Sequence, residues 1–105
     1  EWSKVKVEQA LGDEKYGSQN TDGSCSIRDF GQAMLKAGAT ARTMFERAAA
    51  QKWNCQPGDV AANQGKVING RTKASLTYAE LLPIAAKLEV PKDNELRYKT
   101  PEQYK

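Results

Sequence analysis

The sequence predicts an α+β domain that consists of one long helix, a small antiparallel sheet or hairpin, and a second, shorter helix. Apolar residues recur at three- and four-residue spacing over 27–53, which predicts the long helix. Two short apolar runs meet at Gln64-Gly65, and this arrangement is typical of a hairpin. The pattern Thr77-x-x-Glu80 is a capping box, which predicts that the second helix begins there.

The residues ahead of the long helix divide into a predicted strand and a predicted loop. Residues 2–9 alternate Val5 and Val7 with charged neighbours, which predicts a half-buried strand. Residues 11–24 are rich in Gly, Asp, Asn and Ser without periodicity, so we expect an extended loop. The apolar face of the following helix is formed by Phe30, Met34, Ala37, Ala41, Phe45 and Ala48.

Turn-forming residues predict where the long helix ends and how the strands connect. Pro57-Gly58 is expected to end the helix. The runs 60–63 and 66–68 predict two short strands, and 74–76 is expected to return as a third.

The second helix is predicted over about 78–88, with Leu81, Leu82, Ala85 and Leu88 on one side. Pro83 lies beyond its first turn and is expected to bend it. After Pro91 the chain becomes polar, and 92–105 is expected to form an extended tail.

Composition limits the class of protein. The 105 residues correspond to a single domain, 1–105, and the net charge is only +3. No basic run is interleaved with aromatic residues, which argues against nucleic acid as a partner. No apolar stretch predicts a transmembrane segment, and no signal peptide is visible. Because the chain lacks an initiator methionine, we expect an internal fragment of a larger protein, whose compartment the sequence leaves open.

The chain contains no histidine and two cysteines, which excludes most zinc sites, histidine-dependent nucleophile pairs and iron–sulfur ligation within it. No catalytic residue and no metal ligand is therefore assigned. Cys25 and Cys55 flank the predicted helix, whose ends would be about 40 Å apart. A disulfide needs Cα atoms within about 7 Å, so we expect two free thiols.

The segment Thr21-Asp22-Gly23-Ser24-Cys25-Ser26 directly precedes the long helix. The first amides of a helix lack partners and lie at the positive end of its dipole, so this position favours an anionic group. Two interpretations stay open at this point. The segment either caps the helix through Ser24 or Ser26, or it cradles a phosphorylated or pterin-like cofactor.

The chain resembles the large, molybdenum-binding subunit of the xanthine oxidase and aldehyde oxidase family, in particular the isoquinoline 1-oxidoreductase beta-subunit group. The resemblance rests on the opening residues 1–10, on Lys15-Tyr16-Gly17 and on the segment 21–26. Four later stretches also match: Ala48-Ala49-Ala50-x-x-Trp53, Gly65-Lys66-Val67-Ile68, Leu76-Thr77-Tyr78-Ala79-Glu80-Leu81 and Ala85-Ala86-Lys87-Leu88-x-Val90-Pro91.

This resemblance implies that Thr21, Gly23, Ser24 and Ser26 contact a molybdopterin cofactor, in its cytosine dinucleotide form, in the intact enzyme. Asp22 departs from the pattern, because relatives carry Gly or Ala there. The implied reaction is oxidative hydroxylation of an N-heterocycle or an aldehyde.

The resemblance also implies which partners the chain has and that the catalytic residue lies outside it. The partners are the remainder of the parent subunit and an iron–sulfur subunit or domain, in a bacterial periplasm or cytoplasm. The family's catalytic glutamate lies in a Gly-rich motif that is absent from these residues, so the fragment is expected to be inactive and to hold no cofactor alone. The alternative hypothesis is a non-enzymatic interaction module that uses the long amphipathic helix.

Overall fold

The computed structural model describes Ser3 and residues 5–103, and its architecture is α+β, which confirms the predicted fold class. The helices and strands are α1 (Ser26–Trp53), β1 (Val60–Asn63), β2 (Lys66–Asn69), β3 (Ser75–Thr77) and α2 (Tyr78–Ala85). No helix in the described part of the chain combines the length and the apolar character needed to cross a membrane.

The long helix α1 contains 28 residues and ends before the predicted proline turn. Asn54 adopts a left-handed conformation with φ 50° and ψ 51°, and its N–H donates to the carbonyl oxygens at the helix end. Asparagine tolerates this conformation better than most residues, so Asn54 ends the helix. Pro57 and Gly58 instead belong to a separate 3-10 turn, Pro57–Asp59.

The three strands form an antiparallel sheet in the order β1-β2-β3. Gln64 and Gly65 connect the first two strands, and their φ values of 48° and 78° are both positive. Two residues with a left-handed backbone conformation match the right-handed twist of a two-residue hairpin. The sequence therefore predicts this turn. Asn63 pairs with Lys66 beside the turn, which confirms the predicted hairpin.

The capping box at the start of α2 is confirmed. The Thr77 hydroxyl accepts from the Glu80 amide at 3.2 Å, and the Glu80 carboxylate accepts from the Thr77 amide at 2.8 Å. The helix is shorter than predicted, and Leu82 is 56% exposed, so its placement on the same side as Leu81 and Ala85 is wrong. Leu81 and Ala85 share the buried face because they are four residues apart, whereas Leu82 lies about 100° around the helix from Leu81.

The core lies between the second half of α1, the sheet and α2. Its buried members are Ala48, Ala49, Ala50, Val60, Val67, Leu81 and Ala85. Three consecutive alanines let other elements approach α1 closely. By contrast, the first half of α1 is mostly exposed, with Ile27 at 86% and Met34 at 71%.

The predicted N-terminal strand is not formed by its described residues. Residues 5–9 have neither helix nor strand structure, and Val7 is 84% exposed. A strand needs a neighbouring strand to pair with its backbone, and the sheet assembled from 60–77 includes no partner for this segment. Residues 2 and 4 of this prediction lie outside the described residues. The following loop contains one 3-10 turn, Glu14–Tyr16.

Residues 92–99, here called the C-terminal strap, return along α1. Asp93 pairs with Lys36 at 2.6 Å, and Glu95 pairs with Arg47 at 2.9 Å. The strap contains a 3-10 turn at Asp93–Glu95, and another follows at Pro101–Gln103.

Candidate functional site

The segment that precedes α1 forms a tight turn. Gly23 and Ser24 both adopt left-handed conformations, with φ 59° and 58°, and the Cys25 amide donates to the Asp22 carbonyl oxygen at 3.3 Å. The candidate residues of this turn and of the helix start are all exposed: Thr21, Gly23, Ser24 and Ser26. The structure therefore brings them together on the surface at one end of α1.

The start of α1 is not capped by a serine, so that interpretation of Ser24 and Ser26 is wrong. Cys25 occupies the N-cap position with φ −96° and ψ −3°, and no side chain of the described residues makes a capping hydrogen bond there. A normal N-cap residue is extended and presents a hydroxyl or carboxylate to the first amides, whereas Cys25 has helical backbone angles. The first intrahelical bond runs from the Asp29 amide to the Cys25 carbonyl at 2.9 Å.

Three backbone donors consequently remain free at this helix start. Within the described residues, the amides of Ser26, Ile27 and Arg28 have no hydrogen-bond partner. These amides lie at the positive end of the dipole of a 28-residue helix. The Ser24 and Ser26 hydroxyls add two further donors beside them. This donor set suits a phosphate or another anionic group.

Two acidic residues flank the donors. Asp29 lies in the first turn of α1, and its carboxylate accepts from Arg28 Nε at 2.8 Å. The bond to Arg28, followed by one from Cys25, holds the pKa of the Asp29 carboxyl below its ordinary value. Because the Arg28 guanidinium compensates the charge of Asp29, Asp22 is the acid whose negative charge repels an anion at the turn.

Cys25 is not an activated thiol despite its position at a helix start. Its side chain is buried, and hydrogen bonding to Asp29, together with desolvation, raises the pKa of the thiol. A carboxylate acceptor stabilises the protonated sulfur and opposes the effect of the helix dipole. Cys25 and Cys55 are both free, in agreement with the expectation from helix length.

The remaining acids in the described part of the chain give no metal site. No three His, Cys, Asp or Glu side chains cluster there in a way that would hold an ion. Glu80 is occupied by the capping box, whose hydrogen bonds from Thr77 lower the pKa of its carboxyl.

A second concave surface was not anticipated from the sequence. A groove of about 340 Å³ lies between the first half of α1 and the C-terminal strap. Arg42 lines it and donates through Nη2 to the Arg97 carbonyl oxygen. No local signal connects it to Arg97, which lies 55 positions later.

Comparison with known proteins gives one distant similarity. No family model and no solved structure matches the chain. Isoquinoline 1-oxidoreductase subunit beta of Brevundimonas diminuta is 30% identical to it over 98 aligned residues. The alignment covers 87% of this chain and 12% of that protein. The chain is therefore similar, over most of its length, to a small part of an oxidoreductase subunit, which supports a distant relationship.

Proposed function

We propose that this chain is an internal part, over 1–105, of the molybdopterin-binding domain of a molybdenum hydroxylase or aldehyde dehydrogenase-type oxidoreductase. The proposal rests mainly on the exposed turn with three free amides at the start of α1. The 30% identity to a subunit named as an isoquinoline 1-oxidoreductase supports it. The partners would be the rest of the parent subunit and an iron–sulfur subunit or domain.

The residues that would contact the cofactor are Thr21, Gly23, Ser24 and Ser26. Gly23 is open to close approach, because a Cβ built there meets no atom within 4 Å. Its φ of 59° would strain any residue with a side chain. The serine hydroxyls and the free amides would donate to the anionic groups of a molybdopterin cytosine dinucleotide. That cofactor supplies the redox centre for hydroxylation of an N-heterocycle or an aldehyde in the parent enzyme.

The proposal is tested by cofactor loading, which is independent of turnover. The parent subunit, with its iron–sulfur partner, is produced in a host that synthesises molybdopterin, in wild-type form and as the double variant S24A/S26A. Neither hydroxyl caps α1, so the helix start stays intact. Loss of two hydrogen bonds is expected to weaken loading about fivefold or more.

Molybdenum by mass spectrometry and pterin by fluorescence of its oxidised form, both per subunit, measure the loading. The exposed Ser75, at the first position of β3, gives the matched control S75A, which is expected to load like the wild type. Equal loading of the wild type and the double variant would refute the proposed contacts. A parent subunit that contains neither molybdenum nor pterin would refute the proposed function itself.

A non-enzymatic interaction module is the second candidate. The exposure of Ile27 and Met34 on the first half of α1 favours it, since apolar residues on a helix surface often mark a contact with another chain. The flanking gene sequence separates the two candidates. A downstream Gly-rich motif with a glutamate supports the enzyme, whereas a start codon near Glu1 and no such motif supports the module.

A further inference from the structure

The groove between α1 and the C-terminal strap has mostly apolar walls. Met34 and Leu35 contribute from α1, Tyr78 contributes from the start of α2, and Tyr98 contributes from the strap. Its volume of about 340 Å³ lies within the range that small-molecule sites occupy. Tyrosine and methionine side chains contact aromatic ligands favourably, so this lining suits a flat apolar ligand.

The groove also carries unbalanced positive charge. Arg42, Arg97 and Lys99 line it, and among the described residues no carboxylate does. The two described acids of the strap that lie nearest, Asp93 and Glu95, are each paired with a cation of α1. They therefore contribute little neutralisation, and the groove favours an anion.

Arg42 is the best placed of the three cations to receive that anion. Its Nη2 donates to the Arg97 carbonyl oxygen, and this bond holds the guanidinium against the strap. Its Nε is buried and has no hydrogen-bond partner among the residues that the structure describes. A buried donor without an acceptor costs free energy, and a carboxylate is the acceptor that a guanidinium binds most favourably.

We propose that this groove binds a small ligand with a flat apolar body and a single carboxylate, which is received by Arg42. The apolar body lies against Met34 and Tyr98, and the carboxylate pairs with the Arg42 guanidinium where the groove meets the strap. This site is separate from the turn at 21–26 and does not depend on the proposed cofactor contacts.

The test compares two probes that share one apolar body. Naphthalene-2-carboxylate and its neutral analogue naphthalene-2-carboxamide are titrated into the isotope-labelled chain, and amide chemical shifts are followed by NMR. Saturable shifts are expected at the groove residues of α1 and the strap, with the carboxylate bound about tenfold more tightly than the carboxamide. This discrimination is measured on the wild-type protein, so it does not depend on how well a variant folds.

Two variants separate the ligand contact from the docking of the strap. R42Q is expected to remove the preference for the carboxylate. R47Q breaks the neighbouring strap contact with Glu95 and is expected to keep that preference, since Arg47 does not line the groove. Equal affinity for both probes, shifts confined to other surfaces, or no saturable shift would each overturn the proposal. Concentration-dependent shifts at the same amides without ligand would overturn it too, because a second copy of the chain would then cover the groove.

Discussion

The rings of Phe45 and Tyr78 stack face to face, with their centroids 4.2 Å apart and their planes 1° from parallel. Phe45 lies near the middle of α1, and Tyr78 is the first residue of α2. Both side chains pack against the buried core. The stack therefore connects α1 to the first residue of α2. The capping box stabilises the start of α2 at the same place.

Removing the ring at position 78 is expected to destabilise the fold. Y78A should lower the free energy of unfolding by about 2 kcal/mol, because the ring stack is lost. The loss is not larger because the side chain is only partly buried. Y78F keeps the ring and is expected to stay within about 0.5 kcal/mol of the wild type. Urea unfolding followed by circular dichroism measures both values. Equal losses for the two variants would show that the hydroxyl, rather than the ring, supports the fold.

The same tyrosine is expected to make the fold sensitive to alkali. Burial, followed by the charge of Glu46, raises the pKa of the Tyr78 phenol above its ordinary value of 10.0. Since the folded state disfavours the phenolate, the stabilisation is complete below the unfolded pKa. It is lost as pH rises through the folded pKa.

Unfolding free energies of the wild type and Y78F between about pH 8 and 11 isolate this contribution, since other groups titrate equally in both proteins. The wild type should lose more stability than Y78F over this interval. Parallel profiles would contradict the assigned burial of the phenol.

The two neighbouring leucines of α2 are expected to differ sharply. Leu81 is fully buried in the core, whereas Leu82 is 56% exposed. L81A should lower the free energy of unfolding by about 2–5 kcal/mol through lost burial and the cavity left behind. L82A serves as the matched control and is expected to cost no more than about 0.5 kcal/mol. Denaturant unfolding of the pair checks the packing of α2, and similar losses would mean that α2 is rotated from its described position.

The parts of the fold that could be predicted from sequence depend on local chemistry. Gln64-Gly65 predicts a hairpin because the turn itself demands residues that tolerate positive φ. Thr77 and Glu80 predict a helix start because the two side chains satisfy amides within the same turn. Neither signal needs knowledge of the rest of the molecule.

The predictions that were wrong or incomplete depend on distant partners. Val5 and Val7 alternate with charges as a strand would, yet alternation cannot supply the neighbouring strand that pairing requires. At the candidate site, the sequence locates the turn before α1 but not the cap residue, because the left-handed backbone of Ser24 puts Cys25 at that position. The groove at Arg42 forms only because the strap packs back along α1, and no local sequence pattern predicts that packing.

The capping box gives the final prediction, which concerns acid. T77A should lower the free energy of unfolding by about 1 kcal/mol at neutral pH, because the Glu80 amide loses its hydroxyl acceptor. Hydrogen bonds from the Thr77 hydroxyl and amide hold the pKa of Glu80 below its ordinary value of 4.5.

A lowered folded pKa means that the stabilisation from Glu80 is complete above the unfolded pKa and is lost as pH falls through the folded one. E80Q removes this titration, so its stability should depend less steeply on pH in the acid range than that of the wild type. E89Q replaces an exposed acid outside the capping box and provides the control for a simple change of net charge. If E89Q flattened the acid profile as much as E80Q, net charge rather than the hydrogen-bonded carboxylate at the start of α2 would account for the acid sensitivity.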